Sequence, residues 1–494
     1  MAYSIQGRSG KAPLPAARII RYVHRGYSVV GYRNDRPSRI SSRLPITQAY
    51  AEGYVNSSII EEHVDTAVRS LGKPGIESPV HGTAIFVDDS ERVVIDTSLS
   101  FYNRCAKGET VPLSFELAGP RRKIFFDPSK TKCGIVTCGG LCPGINDVIR
   151  GIVLELHYAY HVENIYGIPF GLQGFIPAYR HSLVELAPAS VEQIHELGGT
   201  VLGSSRGSQD VGEMVDAIER LNMNIVFFIG GDGTLKAASA VAREALARGF
   251  RCSVIAVPKT IDNDIFFVSK TFGFDTAVEE ARKVIKCAHV EAKGAPYGIG
   301  LVKVMGRDSG FIAANAALAS RDANFVLVPE EDFDLDGPKG FLSILEARLR
   351  ARGHAVIVVA EGAGQRFFED LPEEKDASGN VRKHDIGTFL RERIEHHCKS
   401  HGIAINLKYL DPSYVIRSVS ANASDSIFCG FLAQMAVHAG MSGKTDMLIG
   451  LWNNVYVHIP NEICMKGRKK IDTNGPLWMS VRESTGQPAM KNDG

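Results

Sequence analysis

Residues 225–264 read IVFFIGGDGTLKAASAVAREALARGFRCSVIAVPKTIDND, and this stretch decides the class of fold. Residues 225–229 and 253–257 are short, continuous apolar runs bounded by Gly or Pro, the signature of strands buried on both faces of a parallel sheet. Between them, 235–248 reads as a helix. Strand, helix, parallel strand is one crossover unit. The same alternation spreads outward. Residues 133–138 (CGIVTC) predict a strand, followed by a Gly/Pro loop and a helix over about 147–160. Downstream, a helix is predicted over 276–290, with Val278, Ala281 and Ile285 on one face. A strand at 299–305 leads to a small-residue helix ending near Ala319. Then come a strand at 325–328, a helix at 341–352 and a strand at 355–360.

These units are too many for one sheet. The expectation is an α/β protein with two doubly wound, Rossmann-like lobes and an N-terminal extension. The boundaries expected are 1–128 for an arm and small domain, 129–270 with about 415–465 for a nucleotide-binding lobe, and 271–414 with 466–494 for a second lobe. Residues 119–132 read as the linker into the first lobe. The 494 residues are 44% hydrophobic and 22% charged, which excludes global disorder. No apolar run approaches the ~18 residues of a membrane helix. The balance of 56 basic and 55 acidic residues excludes a globally basic nucleic-acid binder.

Residues 1–50 carry nine Lys/Arg and one acid, Asp35, whereas 51–100 carry nine acids and three bases. Pro13, Pro15 and Pro37 break any long amphipathic helix. An arm docking on acidic surface is therefore the expectation, with an organellar transit peptide as the alternative. There is no apolar core of a secretory signal near the start and no SKL-type ending, so the expected location is the cytoplasm. Nine cysteines at low density read as free thiols. Cys138 and Cys142 with His157 and His161 loosely fit a zinc spacing, but the glycine loop between strand and helix accounts for them.

Chemistry concentrates in the loops that follow the strands, where such folds bind ligands. Gly139, Gly140 and Gly144 let backbone amides approach a phosphate. In the run Gly230–Thr234, Asp232 is a hard oxygen ligand suited to Mg²⁺. Lys259, Thr260, Ile261, Asp262, Asn263 and Asp264 place two acids beside a lysine, and one acid can act as general base on a hydroxyl. Arg206, Arg307 and Arg417 offer clamps for phosphoryl oxygens. Glu361 can accept sugar hydroxyls. No GxxxxGK[ST] loop and no protein-kinase signature occurs. Mg²⁺, a phosphate cradle, a base and arginines together suit phosphoryl transfer.

At these loops the sequence resembles the 6-phosphofructokinases. IVTCGGLCPGIN, LGSSRG, IGGDGT, PKTIDND, KVMGRDSGFIA, AEGAG and DPSYVIR stand in that family's order across about 125–485, and their wording is similar to the long ATP-dependent branch of plants and trypanosomatids. The resemblance implies transfer from ATP to the 1-hydroxyl of fructose 6-phosphate, a step of glycolysis, with Mg²⁺ as cofactor. It implies Asp262 as proton acceptor, Asp232 as metal ligand, and Lys259, Thr260 and Arg307 as further catalytic residues. Gly140, Arg206, Gly207, Gly231, Asp232, Gly233 and Thr234 would form the nucleotide site. Thr260, Ile261, Asp262, Met305, Gly306, Arg307, Glu361, Tyr414 and Arg417 would form the sugar-phosphate site. Gly233, where pyrophosphate users typically carry a second Asp, favours ATP, while Lys259 resembles the pyrophosphate users. A pyrophosphate-dependent enzyme and a non-catalytic, sugar-phosphate-binding regulatory subunit are the alternatives; lipid and NAD kinases also use GGDG but leave PKTIDND unexplained. The resemblance also implies an allosteric homotetramer. Short members carry an inter-subunit arginine where this chain has Gly298; Lys259 or Lys408 is the expected substitute cation.

Overall fold

The run at 225–229 becomes the strand Ile225–Gly230, buried along its whole length. Its side chains alternate between two cores. Ile225, Phe227 and Ile229 pack with Ile145, Val148 and Leu432, whereas Val226 and Phe228 pack with Met214, Ile218 and Val241. A strand apolar on both faces requires helices on both. Ile145–Leu154 and Ala423–Met441 cover one face; Val211–Arg220 and Asp232–Ala247 cover the other. The computed structural model describes residues 65–80, 85–372, 374 and 381–492; the Arg-rich arm lies outside the described residues.

Five parallel strands form the middle of the larger sheet, ordered Met447–Trp452, Ser253–Pro258, Ile225–Gly230, Lys132–Thr137, Asn164–Ile168. Lys132–Thr137 comes first along the chain yet lies between the second and third of these strands. The chain therefore winds outward in both directions from it and leaves a crevice at the carboxyl ends. Register makes those ends level, since Thr137 pairs with Ile229 and Gly230 with Pro258. Antiparallel strands extend both rims to nine strands: Val455–Pro460, Ser114–Leu117 and Arg92–Val94 on one side, Val184–Glu185 on the other.

The smaller sheet is wholly parallel, in the order Phe325–Leu327, His354–Ala360, Gly298–Val304, Asn406–Leu410. Phe274–Lys293 and Phe311–Ser320 pack on one face, Phe341–Arg352 and Ile386–Ser400 on the other. Val304 pairs with Ala360, so two loops again leave at one level. The C-terminal stretch returns to this sheet. The Gln487 side chain accepts from the Val326 amide at 2.7 Å and donates to its carbonyl at 3.1 Å, in the manner of an added strand.

Two expected helices shift. The helix after GGDGT begins at Asp232, not Leu235, because Gly231 takes the extended N-cap geometry. The helix expected to reach Tyr160 stays α-helical only over Ile145–Leu154 and continues as a π turn, Glu155–Ala159. It starts at Gly144, whose φ of 96° is left-handed and whose Cβ would stand 2.6 Å from the Cys429 sulfur, so only glycine fits. The stretch read as a linker is anchored by buried Ile124 and Phe126.

The rim strand Ser114–Leu117 is locked by a buried charge cluster. Glu116 receives Arg121 at 2.8 Å, Lys444 at 2.9 Å and His458 Nδ1 at 2.9 Å. Burial alone would raise the Glu116 pKa, but the His458 hydrogen bond and the Lys444 charge outweigh it and hold it at about 2. Glu116→Gln leaves Arg121 and Lys444 with only the exposed Asp89, at 2.7 and 2.9 Å, as counter-charge and is expected to cost about 3 kcal/mol in urea unfolding at neutral pH. Because this carboxylate is depressed on folding, its contribution is present above its unfolded value of 4.5 and is lost as pH falls towards 2. The variant and the parent therefore converge in stability under acid. A cost that persists unchanged at the acid end contradicts the assignment.

Candidate active site

The loop after Ser253–Pro258 is held by its own polar atoms. The Lys259 amide donates to the Gly230 carbonyl at 2.9 Å, and Asn263 adopts a left-handed φ of 54° that asparagine tolerates. Asn263 Oδ1 accepts from the Thr271 amide and from Lys469 Nζ, both at 3.1 Å. Thr260 Oγ1 accepts from the Asp262 amide at 3.1 Å and donates to Asp264 Oδ1 at 3.2 Å. Ile261 is buried and anchors the turn. Asp262 is half-buried, and its Oδ1 is enclosed without a hydrogen-bond partner. Burial raises its pKa well above the ordinary carboxylate range; Asp264 and Glu361 add to this, while the Arg307 amide and Arg468 oppose it. An enclosed, unpartnered carboxylate oxygen of raised proton affinity is poised to accept a proton.

Asp232, the first residue of its helix, meets a residue that sequence reading missed. Its Oδ2 lies 2.7 Å from Arg468 Nη2, while Arg468 Nη1 lies 3.4 Å from Asp264 Oδ2 and contacts Asp308 Oδ2. Asp232 and Asp264 belong to the larger sheet's loops, Asp308 to a loop of the smaller. Asp232 and the loop that carries Asp262 therefore face one cleft. Three hard carboxylates gathered around a cation fit Mg²⁺. A separate group with ligand spacing, Glu346 with His397 and His401, lies on the outer helices. There Arg350 and His397 already occupy both Glu346 oxygens.

Beside the acids is a cationic pocket. Lys259 is buried and donates through Nζ to the Gly140 carbonyl at 2.6 Å. A Cβ on Gly140 would stand 3.7 Å from Arg206 Nη2 and 3.8 Å from Arg417 Nη1. Burial pulls the Lys259 pKa down; Cys142 and Cys138 oppose this, and Arg206 and Arg417 reinforce it. Ser204 Oγ donates to the Gly139 carbonyl at 2.7 Å and the Gly139 amide to the Ser205 carbonyl at 3.1 Å, so the two glycine loops, with Gly207 at φ 99°, are stitched together. Among the described residues no carboxylate pairs with Arg206 or Arg417. Three cations with no carboxylate in contact among the described residues form an anion site. Arg417, expected at the sugar phosphate, thus also reaches the glycine loop, and its guanidinium lies 4.8 Å over the ring of Tyr414, which is 75% exposed.

The smaller sheet supplies the opposite wall. The Gly362 amide donates to the Gly306 carbonyl at 3.1 Å, and the Glu361 amide to the Val304 carbonyl at 3.0 Å, which joins AEGAG to the loop of Met305, Gly306 and Arg307. Ser309 Oγ donates to the Asp262 carbonyl at 3.1 Å and links that loop to the loop of Asp262. Burial raises the Glu361 pKa, offset by Lys303, Arg307 and Arg417. Arg307 Nη2 donates to the Val381 carbonyl. Gly233 faces open space, with nothing within 4 Å of a Cβ placed on it, whereas a Cβ on Gly231 would stand 3.3 Å from the Lys259 carbonyl. Thr234, in contrast, is buried against Gly230 and does not present its hydroxyl to the cleft. Cys138 and Cys142 are buried thiols, and Cys142 donates to the Phe272 carbonyl at 3.2 Å. At Gly298 a Cβ would stand 2.0 Å from the Ala292 carbonyl, so no arginine fits; Lys408 is exposed on its strand.

Comparison with known proteins matches residues 132–440 to the family described as phosphofructokinase. An ATP-dependent 6-phosphofructokinase of Borreliella burgdorferi is 48% identical over 448 residues, 88% of this chain and 99% of that protein. The ATP-dependent 6-phosphofructokinase of Trypanosoma cruzi is 46% identical over 377 residues, 76% and 77% of the two chains. A chloroplastic ATP-dependent 6-phosphofructokinase of Arabidopsis thaliana is 47% identical over 373 residues, 75% and 68% of the two. Among solved structures, a pyrophosphate-dependent phosphofructokinase of Marinobacter aquaeolei matches with TM-score 0.60 at 19% identity, covering 72% of this chain and 91% of that one. At that identity the match speaks for the fold alone. The parallel strands at the heart of both sheets, the order of the loop motifs and the relatives agree: the chain belongs to the phosphofructokinase family.

Proposed function

We propose that this protein transfers the terminal phosphoryl group of ATP to the 1-hydroxyl of fructose 6-phosphate, giving fructose 1,6-bisphosphate and ADP in glycolysis. The observation that carries this reading is the cleft itself. Asp262, with its enclosed Oδ1, shares a loop with Lys259 and Asp264; Arg468 joins Asp264 to Asp232 and Asp308, and Lys259 reaches the glycine loop beside Arg206 and Arg417, which pair with no carboxylate among the described residues.

Asp262 takes the proton of the attacking hydroxyl, and Thr260 and Ser309 hold its loop in place. Gly140, Arg206, Gly207, Gly231 and Gly233 form the nucleotide site, Thr234 supporting it from within the helix. Lys259 and Arg417 stand between donor and acceptor, and Arg307 balances the charge on the group in flight. Met305, Gly306, Glu361, Tyr414 and Arg417 orient the sugar phosphate. Asp232, with Asp264 and Asp308, would hold Mg²⁺, which when bound supplies neutralising charge on the phosphoryl oxygens. Residues 129–270 with 415–465 serve the nucleotide and 271–414 with 466–494 the sugar. The protein works in the cytoplasm as a homo-oligomer, by family precedent a tetramer. The open space at Gly233 favours ATP over pyrophosphate, and retention of both Asp232 and Asp262 speaks against a non-catalytic regulatory subunit.

In a coupled assay, ADP release must require both fructose 6-phosphate and Mg²⁺. ATP hydrolysis indifferent to the sugar contradicts the reading. A pH dependence follows as well. Asp262 works ionised, so the acid limb of kcat rises with pH through its raised pKa. Glu361 contributes to that elevation. Glu361→Gln is therefore expected to move the acid limb to lower pH, whatever it does to the Michaelis constant. A limb that stays in place or moves up refutes the electrostatic link.

A further inference from the structure

Arg468 is a cation where the acids of the proposed metal position converge. Its guanidinium takes Asp232 at 2.7 Å, Asp264 at 3.4 Å and Asp308 in still closer contact. Lys383 lies 3.3 Å from Asp308 Oδ1, Asp262 acts on Arg468, and the buried Lys469 acts on Asp264. The backbone that carries Arg468 is fixed. It forms an antiparallel bridge to Ile265, and the next amide, of Lys469, donates to the Asp264 carbonyl at 2.8 Å. Lys469 Nζ is itself buried and donates to the carbonyls of Val268 at 2.8 Å and Ser269 at 2.9 Å. The Arg468 side chain, in contrast, keeps 31% of its surface open to the cleft. The side chain is thus free to leave while its backbone stays.

We propose that Arg468 is the resident counter-cation of the metal position. Its guanidinium neutralises Asp232, Asp264 and Asp308 in the metal-free protein and swings away when a divalent cation takes the same oxygens. This rests on the reading of Asp232 as a metal ligand. The physical reason is that two cations cannot share one set of carboxylate oxygens without strong repulsion, while the bare carboxylates repel one another if neither is present. Two consequences follow. The protein without substrates binds divalent metal more weakly than its carboxylates alone would dictate. Metal arrival also severs a tie between the two sheets, because Asp308 lies on the smaller sheet's side of the cleft and Asp232 and Asp264 on the larger's.

The test uses the full chain without nucleotide or sugar, with Mn²⁺ alone followed by electron paramagnetic resonance. Arg468→Met is expected to tighten Mn²⁺ binding about tenfold or more. Arg468→Lys, shorter but still charged, should fall between variant and parent. Lys383→Met removes the same unit charge beside Asp308 only and is expected to change affinity by less than about threefold. In the unmutated protein, the Arg468 Nη–H resonances should be protected from exchange without metal and lose that protection as Mg²⁺ saturates. Equal tightening in both Met variants reduces the effect to a general field and overturns the proposal, as does an Arg468 signal indifferent to Mg²⁺. Because no turnover is measured, the outcome is separable from the reaction. Metal competition without sugar phosphorylation would sink the proposed function alone, and phosphorylation with an inert Arg468 would sink this inference alone.

Discussion

Asp262→Asn is expected to lower kcat by about 10³-fold, within the range of a lost general base, while the protein stays folded and still binds fructose 6-phosphate. The substitution keeps size and shape. It breaks no hydrogen bond at Oδ1, because that atom has no partner. It removes only the ability to take a proton. Stability should move the other way. The Asp262 pKa is raised on folding, chiefly by burial, so the contribution of this group is favourable when protonated and is lost as pH rises through the raised value. Above the ordinary carboxylate range the unfolded chain ionises this group where the folded one resists ionisation, so the side chain opposes folding there and the amide relieves it. The expected result is an inactive protein that melts no lower than the parent, a trade-off common where an active site stores unfavourable charge. Near-normal turnover in a folded variant contradicts the base assignment.

Gly233→Asp is the second large effect: kcat/KM for ATP should fall by about 10²–10³-fold with the fold intact. A Cβ at Gly233 meets nothing within 4 Å, so the side chain enters open space rather than packed atoms. An acid in the first turn of Asp232–Ala247 also suits the helix dipole. The loss comes from the ligand. A second carboxylate beside Asp232 faces the phosphates of the donor, and like charges brought together at an interface cost several kcal/mol. Gly233→Ala is the control and should keep most activity, since it adds volume without charge. If Gly233→Asp uses ATP within about threefold of the parent, the phosphates do not pass this residue.

The sequence disclosed the strands that are buried on both faces, because such strands leave an unbroken apolar run. Ile225–Gly230 and Ser253–Pro258 are of this kind. It did not disclose Asn406–Leu410, a half-exposed edge strand whose polar positions mask it, or the antiparallel rim, where Val455–Pro460 mixes exposed and buried positions. Candidate site residues were legible where a strand end, a glycine and an acid fall together, as at Asp232 and Asp262. Arg468 was not, because its partners lie in loops distant along the chain and a basic run reads as solvated surface. The reach of Arg417 to Gly140 and the inward turn of Thr234 were hidden for a related reason. A motif fixes where the backbone passes, and only packing fixes which way a side chain points.

The most direct measurement supplies the purified chain with fructose 6-phosphate and Mg²⁺, gives it either ATP or pyrophosphate, and reads the product by phosphorus NMR. The account predicts a new phosphate ester at the sugar's 1-position, formed with ATP and at least tenfold slower with pyrophosphate. Turnover with pyrophosphate alone, or ATP consumed without that ester, contradicts it.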